Sequence, residues 1–159
     1  MTVEIREVTE GDRPWVTQLL RRDWGSVTIV SRGRAHRADL LPGFVAHRGE
    51  ECVGLLLAHQ EVDQLEVVVL RSLVPRVGVG TALMAAARGM ARSRGCTRLW
   101  LVTTNDNVPA IEFYLRRGLV VRAVHEGAVA RSREIKPEIP PVGRGGIPIR
   151  DEVEMEVRV

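Results

Sequence analysis

Apolar and polar residues along this chain alternate with two different periods. Alternation in twos, or a short run of β-branched and aliphatic residues, predicts strands. These strands cover residues 2–8, 44–47, 51–59, 65–70, 97–104, 119–124 and 150–159. Helical spacing predicts helices that begin near Pro14, Gly80, Asn107 and Ala128 and end near Arg22, Gly95, Gly118 and Lys136. The order predicts one α/β (α+β) domain over residues 1–159, with a mixed sheet rather than strict βαβ alternation.

Two segments follow neither period. Residues 27–30 fit a short strand or an extended loop, and residues 31–37 read as a cationic loop that contains Arg32 and Arg34. Residues 131–148 begin with basic residues and continue with a run rich in proline and glycine, longer than a simple hairpin requires. Basic stretches are usually solvated faces. If these line a substrate site, they favour an acceptor with a carboxylate or a phosphate.

Composition narrows the class of protein. With 45% hydrophobic residues among 159, the chain can bury a core, and its net charge of +3 suits a small anionic ligand better than a nucleic acid. No apolar run reaches the ~20 residues of a membrane span. Cys52 and Cys96 show no metal-like spacing, and neither do the four histidines. We therefore expect a cytoplasmic protein without metal, membrane or nucleic-acid partner, with the choice between monomer and homodimer left open.

The stretch from Leu65 to Met84 combines a buried strand, a glycine-bearing loop and the start of a helix. Free backbone N–H groups at a helix N-terminus, together with the helix dipole, form an anion site. A P-loop needs a Lys-Ser or Lys-Thr pair after its last glycine, but Gly80 is followed by Thr-Ala. A dinucleotide fingerprint needs a third glycine and a later acidic residue, which are missing here. A coenzyme A loop and a purely structural turn remain.

Two motifs occur in this chain in a fixed order. The first is Val-Pro-Arg-Val-Gly-Val-Gly-Thr-Ala-Leu-Met, which ends at Met84. The second is Asn-Val-Pro-Ala-Ile-Glu-Phe-Tyr-Leu-Arg-Arg-Gly-Leu, which begins at Asn107. Together they resemble the motifs of the GNAT superfamily of acetyl-coenzyme A-dependent N-acetyltransferases, whose pattern is Gln/Arg-x-x-Gly-x-Gly/Ala, then Asn-x-x-Ala-x-x-x-Tyr-x-x-x-Gly-Phe. Pro75 stands at the Gln/Arg position with Arg76 one place late, and Leu119 replaces the phenylalanine.

The resemblance implies the GNAT fold, in which helices flank a mixed, mostly antiparallel central sheet. It also implies how acetyl-coenzyme A is held: loop N–H groups would bind the pyrophosphate, and a backbone N–H near Leu70 would polarise the thioester carbonyl. Asn107 would bind the pantetheine arm or fix the start of its helix. The expected cofactor-binding residues are Leu70, Ser72, Arg76, Val77, Gly78, Val79, Gly80, Thr81, Asn107 and Tyr114.

Direct acetyl transfer needs an acid for the leaving thiolate and a base for the attacking ammonium. Tyr114, the only tyrosine, occupies the family's acid position, and the structural alternative is a core tyrosine. Glu66 is the expected base, because strand alternation puts it on the same face as Val68 and Leu70. The alternatives to Glu66 are a chain of waters, Glu61 and Asp63.

The segments around the cationic loop resemble a bacterial subgroup of the superfamily, and Trp24, Arg32 and Arg34 are candidate acceptor-binding residues. We expect an enzyme that moves an acetyl group from acetyl-coenzyme A to a primary amine of a small molecule by direct attack. A cysteine relay is disfavoured because neither cysteine lies in an activating motif. The alternatives are a protein or peptide amine acetyltransferase and a non-catalytic acyl-coenzyme A sensor of the same fold.

Overall fold

The computed structural model describes residues 2–159; residue 1, the first of the predicted domain, lies outside them. The strands are β1 (Glu4–Glu7), β2 (Thr28–Ser31), β3 (Arg34–Arg37), β4 (Gly43–Arg48), β5 (Glu51–Glu61), β6 (Gln64–Ser72), β7 (Arg98–Thr104), β8 (Val120–His125) and β9 (Glu152–Arg158). The helices are α1 (Arg13–Trp24), α2 (Val79–Ser93), α3 (Val108–Arg116) and α4 (Ala128–Ile135). Each strand and helix predicted from the two periods is present, although its ends differ by a few residues.

The main sheet has the strand order β1-β4-β5-β6-β7-β9-β8. The β6–β7 pair runs parallel and the other neighbours run antiparallel, which confirms the mixed, mostly antiparallel sheet. Apolar side chains fill a core on each face. On one face α2 and α3 pack on the sheet, and on the other face α1 and β2 do so. Among residues 2–159, no helix is both long and apolar enough to cross a membrane.

Residues 31–37 form part of a hairpin, so the prediction of a loop there is wrong. β2 and β3 pair antiparallel from Thr28–Arg37 to Ser31–Arg34, around a two-residue turn at Arg32 and Gly33. Both turn residues have positive φ, 51° and 72°, as the favoured hairpin turns require. The apolar pattern could not indicate β3, because its buried side chain is His36 rather than an aliphatic residue.

The parallel pair β6–β7 separates partway along its length. Its ladder runs from Gln64–Arg98 to Val67–Leu101 and stops there. Further on, β6 stays paired with β5 and β7 stays paired with β9. The two strands therefore diverge, and the backbone edges that face the gap lose their partners within the sheet.

A bulge at Val68 adds one residue to β6 beside that divergence. Leu57 pairs with Val69, whereas Ala58 pairs with Val67. The extra residue changes which face each later side chain meets. Val68 packs in the α1-side core and Leu70 in the α2-side core, so the uniform alternation assumed from the sequence fails here.

Candidate active site

A cavity of about 630 Å³ lies where β6 and β7 diverge. Predicted site residues from four elements meet in its wall: Leu70, Ser72, Gly80, Asn107, Tyr114 and Trp24. The strand–loop–helix stretch and the second motif are more than 20 positions apart in sequence, but the parallel β6–β7 crossover brings them together. One cavity thus collects residues from both motifs.

The glycine loop precedes α2 and is exposed at Arg76, Val77 and Gly78. Gly78 has φ 77°, a left-handed conformation that costs a side-chain-bearing residue about 1–2 kcal/mol. Arg76 adopts φ 62° without being glycine, so backbone strain is stored in this loop. Val79 buries its side chain, leaving its backbone at the first turn of α2. The loop therefore presents backbone N–H groups at a helix N-terminus.

Gly80 is a glycine because α3 comes close to α2 at that point. A Cβ at this position would lie 2.9 Å from Cζ of Phe113, a distance that real Cβ atoms avoid. Gly54 has a similar role in β5, where an added Cβ would lie 2.5 Å from the Val79 side chain. These glycines let α2 sit tightly against both neighbours and fix the direction of its N-terminus.

Arg117 supplies a contact to the glycine loop that sequence reasoning missed. Its guanidinium stacks 3.6 Å over the Phe113 ring, and its Nε and second terminal nitrogen donate to Thr81 Oγ1 at 3.0 and 2.6 Å. The Thr81 hydroxyl is thus engaged inside the protein, and a positive charge stands beside the first turn of α2. The sequence signal for this contact is the four-residue spacing of Phe113 and Arg117 at the end of α3, because residues four apart on a helix are neighbours.

Tyr114 belongs to both the core and the cavity. It is 8% exposed, packs in the α2-side core and meets the Phe113 ring edge-on at 5.3 Å between centroids. Burial raises the pKa of Tyr114 to about 12, because the ionised phenolate would lose its solvation. The hydroxyl therefore stays protonated at neutral pH and is available as a donor on the cavity wall.

Asn107 precedes α3, and its carbonyl accepts the Ile111 N–H at 3.1 Å. Among residues 2–159 its side chain makes no capping hydrogen bond, so the side-chain capping role does not occur in this structure. Asn105 has an anchoring role that was not predicted: its amide bonds Pro148, Arg150 and Asp151 and so holds the end of the 131–148 segment.

Glu66 faces away from Leu70, so the expectation that they share a face is wrong because of the Val68 bulge. Its carboxylate is 5% exposed and lies under the β2–β3 hairpin. Oε2 accepts a hydrogen bond from Ser31 Oγ at 2.6 Å, and Oε1 lies 3.6 Å from His36 Nε2. Glu66 lines a second cavity of about 390 Å³, together with its strand neighbours Trp100 and His59.

The two arginines expected to bind an acceptor have internal carboxylate partners. Arg32 pairs with the buried Glu152 at 3.0 Å, and Arg34 pairs with the exposed Glu61 at 2.8 Å. These partners offset the charges of Arg32 and Arg34, so these two arginines give little support to the expectation of an acidic acceptor. Of the three candidates, Trp24 lines the β6–β7 cavity.

The 131–148 segment is tied to the hairpin side of the molecule. Lys136 Nζ donates to the carbonyls of Trp24 and Thr28 at 2.8 and 2.9 Å. Arg133 donates to carbonyls within the segment and at Ile149. α4 and the hairpin therefore form one connected wall on the α1 side of the sheet. Within the described part of the chain, no group of three or more His, Cys, Asp or Glu is arranged to hold a metal ion.

The chain matches the family model described as the Acetyltransferase (GNAT) family over residues 6–119. It is also similar to the uncharacterized protein YdhI of Bacillus subtilis (strain 168). The two are 37% identical over 139 residues, which are 87% of each chain. The chain therefore belongs to the GNAT family, which confirms the resemblance of the two motifs and the prediction of an acetyl-coenzyme A-dependent acetyltransferase.

Solved structures show the same fold. An IAA acetyltransferase from Bacillus cereus ATCC 14579 is similar with a TM-score of 0.76 and 17% identity, over 99% of this chain and 100% of that one. A GNAT family acetyltransferase from Elizabethkingia anophelis with acetyl-CoA bound is similar with a TM-score of 0.73 and 15% identity, over 99% of each chain. At these identities the likeness shows the fold alone.

Proposed function

We propose that this protein transfers the acetyl group of acetyl-coenzyme A to a primary amine of a small molecule by direct attack. The observation that carries the proposal is the divergence of β6 and β7 into a cavity of about 630 Å³ that contains Leu70, Gly80 and Tyr114. A strand edge without a partner, a helix N-terminus and a buried hydroxyl donor meet there. They match the needs of a thioester, a pyrophosphate and a leaving thiolate.

The donor half of the proposal rests on backbone groups. Beyond Val67, β6 has no β7 partner, so N–H groups along that edge are free to polarise a thioester carbonyl near Leu70. The strained loop from Arg76 to Gly78 and the first turn of α2 would hold the pyrophosphate. A GNAT structure similar in fold has acetyl-CoA bound, which supports this choice of donor.

Tyr114 is proposed as the acid that protonates the leaving thiolate. Its raised pKa keeps the proton on the hydroxyl until a thiolate develops nearby. Direct attack is favoured over a cysteine relay, because burial raises the pKa of both Cys52 and Cys96 and so disfavours the nucleophilic thiolates.

Glu66 is proposed as the base, acting through water rather than by contact. Glu66 precedes Leu70 by four residues, which is about 13 Å along an extended strand. Its carboxylate therefore cannot touch an amine that attacks a thioester near Leu70. Its position on the α1 side suits the proposal, because Trp24 and the hairpin lie on that side. An acceptor amine entering there would lose its proton to a water that Glu66 polarises.

A small acceptor is favoured over a protein or peptide by the connected wall of hairpin and α4. Lys136, at the end of α4, donates to Thr28 of β2, and Arg32 of the hairpin turn pairs with Glu152 of β9, so the hairpin is tied to both neighbours. A peptide would need these elements to separate, whereas a small amine would not.

The alternative of a non-catalytic acyl-coenzyme A sensor is weakened by two buried groups on opposite sides of β6, a hydroxyl donor and a carboxylate.

The test measures free thiol released from acetyl-coenzyme A against a panel of small amines, with peptides that have a free N-terminus or lysine as a second panel. We expect acceptor-dependent thiol release with at least one small amine. Release with peptides alone would support the protein acetyltransferase. Coenzyme A binding by calorimetry without release from any acceptor would support the sensor.

A further inference from the structure

Four polar side chains meet beneath the β2–β3 hairpin, in a group that the two family motifs do not include. This group, called here the histidine cluster, consists of Ser31, His36, His59 and Glu66. Two strands of the main sheet provide one side of it, since Glu66 of β6 pairs directly with His59 of β5. The hairpin provides the other side, and the rings of His36 and His59 lie 5.2 Å apart between centroids.

The histidine cluster is unusual because it leaves buried polar atoms without partners. Among residues 2–159, Nε2 of His36 and Nε2 of His59 are buried and have no hydrogen-bond partner. His36 is 5% exposed, and its Nε2 lies 3.6 Å from a Glu66 oxygen, just beyond a normal hydrogen bond. A buried unpaired nitrogen is destabilising, so its retention needs an explanation beyond stability.

Solvent reaches the histidine cluster through the cavity of about 390 Å³ that His59 and Glu66 line. This cavity also contains Glu61, Asp63 and Gln64, together with the apolar side chains of Val62 and Trp100. It is distinct from the larger cavity that contains Tyr114 and Leu70. Glu66 lines the smaller cavity, which therefore gives it a route to water that is separate from the larger one.

We propose that His36 and His59 carry the proton from Glu66 to solvent through this second cavity. The inference rests on the proposed function, in which Glu66 takes the proton of the acceptor ammonium through water. The carboxylic acid formed on Glu66 gives its proton to His36 Nε2; the imidazole pair passes one proton to water in the cavity, and Glu66 returns to a carboxylate. No electrons are transferred, and one proton is released for each amide formed.

This role accounts for the unpaired nitrogens, because a group that accepts and gives a proton must not be held permanently by one partner. Burial lowers the pKa of His59, and the neighbouring Arg34 and His36 act in the same direction, against Glu66 and Glu61. The lowered pKa favours the neutral ring of His59 and so favours release of a proton from it to water. Asp63 also faces the cavity through which the proton leaves.

The experiment compares His36→Gln and His59→Gln with His47→Gln as the matched control. His47 lies on β4, where its ring contacts Gly49 and Glu4 rather than the histidine cluster. Each variant is assayed with acetyl-coenzyme A and the best amine of the panel from pH 5.5 to 9, with and without added imidazole. Coenzyme A binding and thermal unfolding are measured in parallel.

We expect kcat of both cluster variants to fall about tenfold with unchanged KM for acetyl-coenzyme A, since water can replace the relay only in part. Added imidazole restores part of the lost kcat of His59→Gln, which a purely structural role would not produce. The acidic limb of the pH profile, set by protonation of His59, disappears in His59→Gln. His47→Gln behaves as the wild type.

Wild-type kcat and an unchanged pH profile in both cluster variants would overturn the relay. If either variant fails to fold, His36→Asn and His59→Asn replace it, and the same readouts apply. Glu66→Gln separates this inference from the proposed function. If Glu66→Gln abolishes turnover while the histidine variants keep wild-type turnover, Glu66 is supported as the base and the histidine relay is wrong. If the wild type acetylates no amine, both proposals are overturned.

Discussion

The two sides of the divergent strands, which we propose bind the donor and the acceptor, are built on different physical principles. The donor side is backbone and apolar packing: glycines at 78 and 80, the first turn of α2, and Tyr114 in a core of aliphatic residues. The acceptor side is held by charge: Glu152, Glu66 and Lys136 are buried there, and each meets a polar partner. Backbone groups do not depend on residue type, so they suit a donor that stays the same. Charged side chains can be substituted, so they suit an acceptor that differs from one protein to another.

The difference has an energetic cause. Backbone N–H groups at a helix N-terminus need no side chain, so the donor side is specified by where glycine is tolerated. Buried charges are stable only when paired, so the acceptor side is specified by residues far apart in sequence, such as Arg32 and Glu152. We therefore expect donor-side changes to act on catalysis and binding, and acceptor-side changes to act first on stability.

The largest expected effect is that of Tyr114→Phe on the donor side. Removing the hydroxyl should lower kcat by about 100-fold or more, because the thiolate then leaves without its acid, while coenzyme A affinity changes less than about twofold. Steady-state kinetics and calorimetry measure the two quantities. Unchanged turnover at saturating substrates would show that Tyr114 has only a structural role in the core.

Alkaline pH should test the same residue through stability. The folded-state pKa of about 12 lies above the unfolded value of ~10. The neutral hydroxyl thus contributes stability that is fully present below pH 10 and is lost as the pH rises towards 12. The loss corresponds to about 3 kcal/mol in the free energy of unfolding. Urea titrations of the wild type and Tyr114→Phe measure it, and a parallel decline in both would contradict the assignment.

On the acceptor side, Arg32→Ala should destabilise the protein far more than Arg34→Ala. Arg32 pairs with a Glu152 side chain that is 4% exposed, whereas the partner of Arg34 is 67% exposed. We expect a loss of about 2 kcal/mol for Arg32→Ala, because Glu152 is left buried with a weaker set of donors. The expected loss for Arg34→Ala is under about 0.5 kcal/mol. Equal losses in urea denaturation would show that burial of Glu152 does not matter.

The smallest effects come from two glycines of α2. An alanine at Gly80 meets the Phe113 ring, whereas an alanine at Gly89 meets open space. Gly80→Ala should weaken coenzyme A binding by about tenfold, since α2 must shift by a few tenths of an ångström at its N-terminus. Gly89→Ala should raise the free energy of unfolding by about 0.5–1 kcal/mol without changing binding. Thermal melts and calorimetry on the pair check both, and tighter binding by Gly80→Ala would be inconsistent with the proposed loop.

Most of the main sheet was predictable because its strands carry their own apolar signal. Leu99 and Leu101 alternate inward on β7 and Val153 and Met155 on β9, and each is buried as the pattern indicates. The β3 strand was missed because the side chain it buries is a histidine. The prediction that Glu66 shares a face with Leu70 was wrong, because the extra residue of the bulge at Val68 is invisible to a period of two.

The family and the order of most of the elements could be predicted from the sequence alone. These features depend on local signals: glycines, apolar periods and two short motifs. The contacts of the acceptor side became evident only in the folded chain, where Arg32 meets Glu152 and where Ser31 and His36 meet Glu66 across 30 or more positions. The reason is physical: a buried charge carries no local signature, because its partner is selected by the fold rather than by its sequence neighbours.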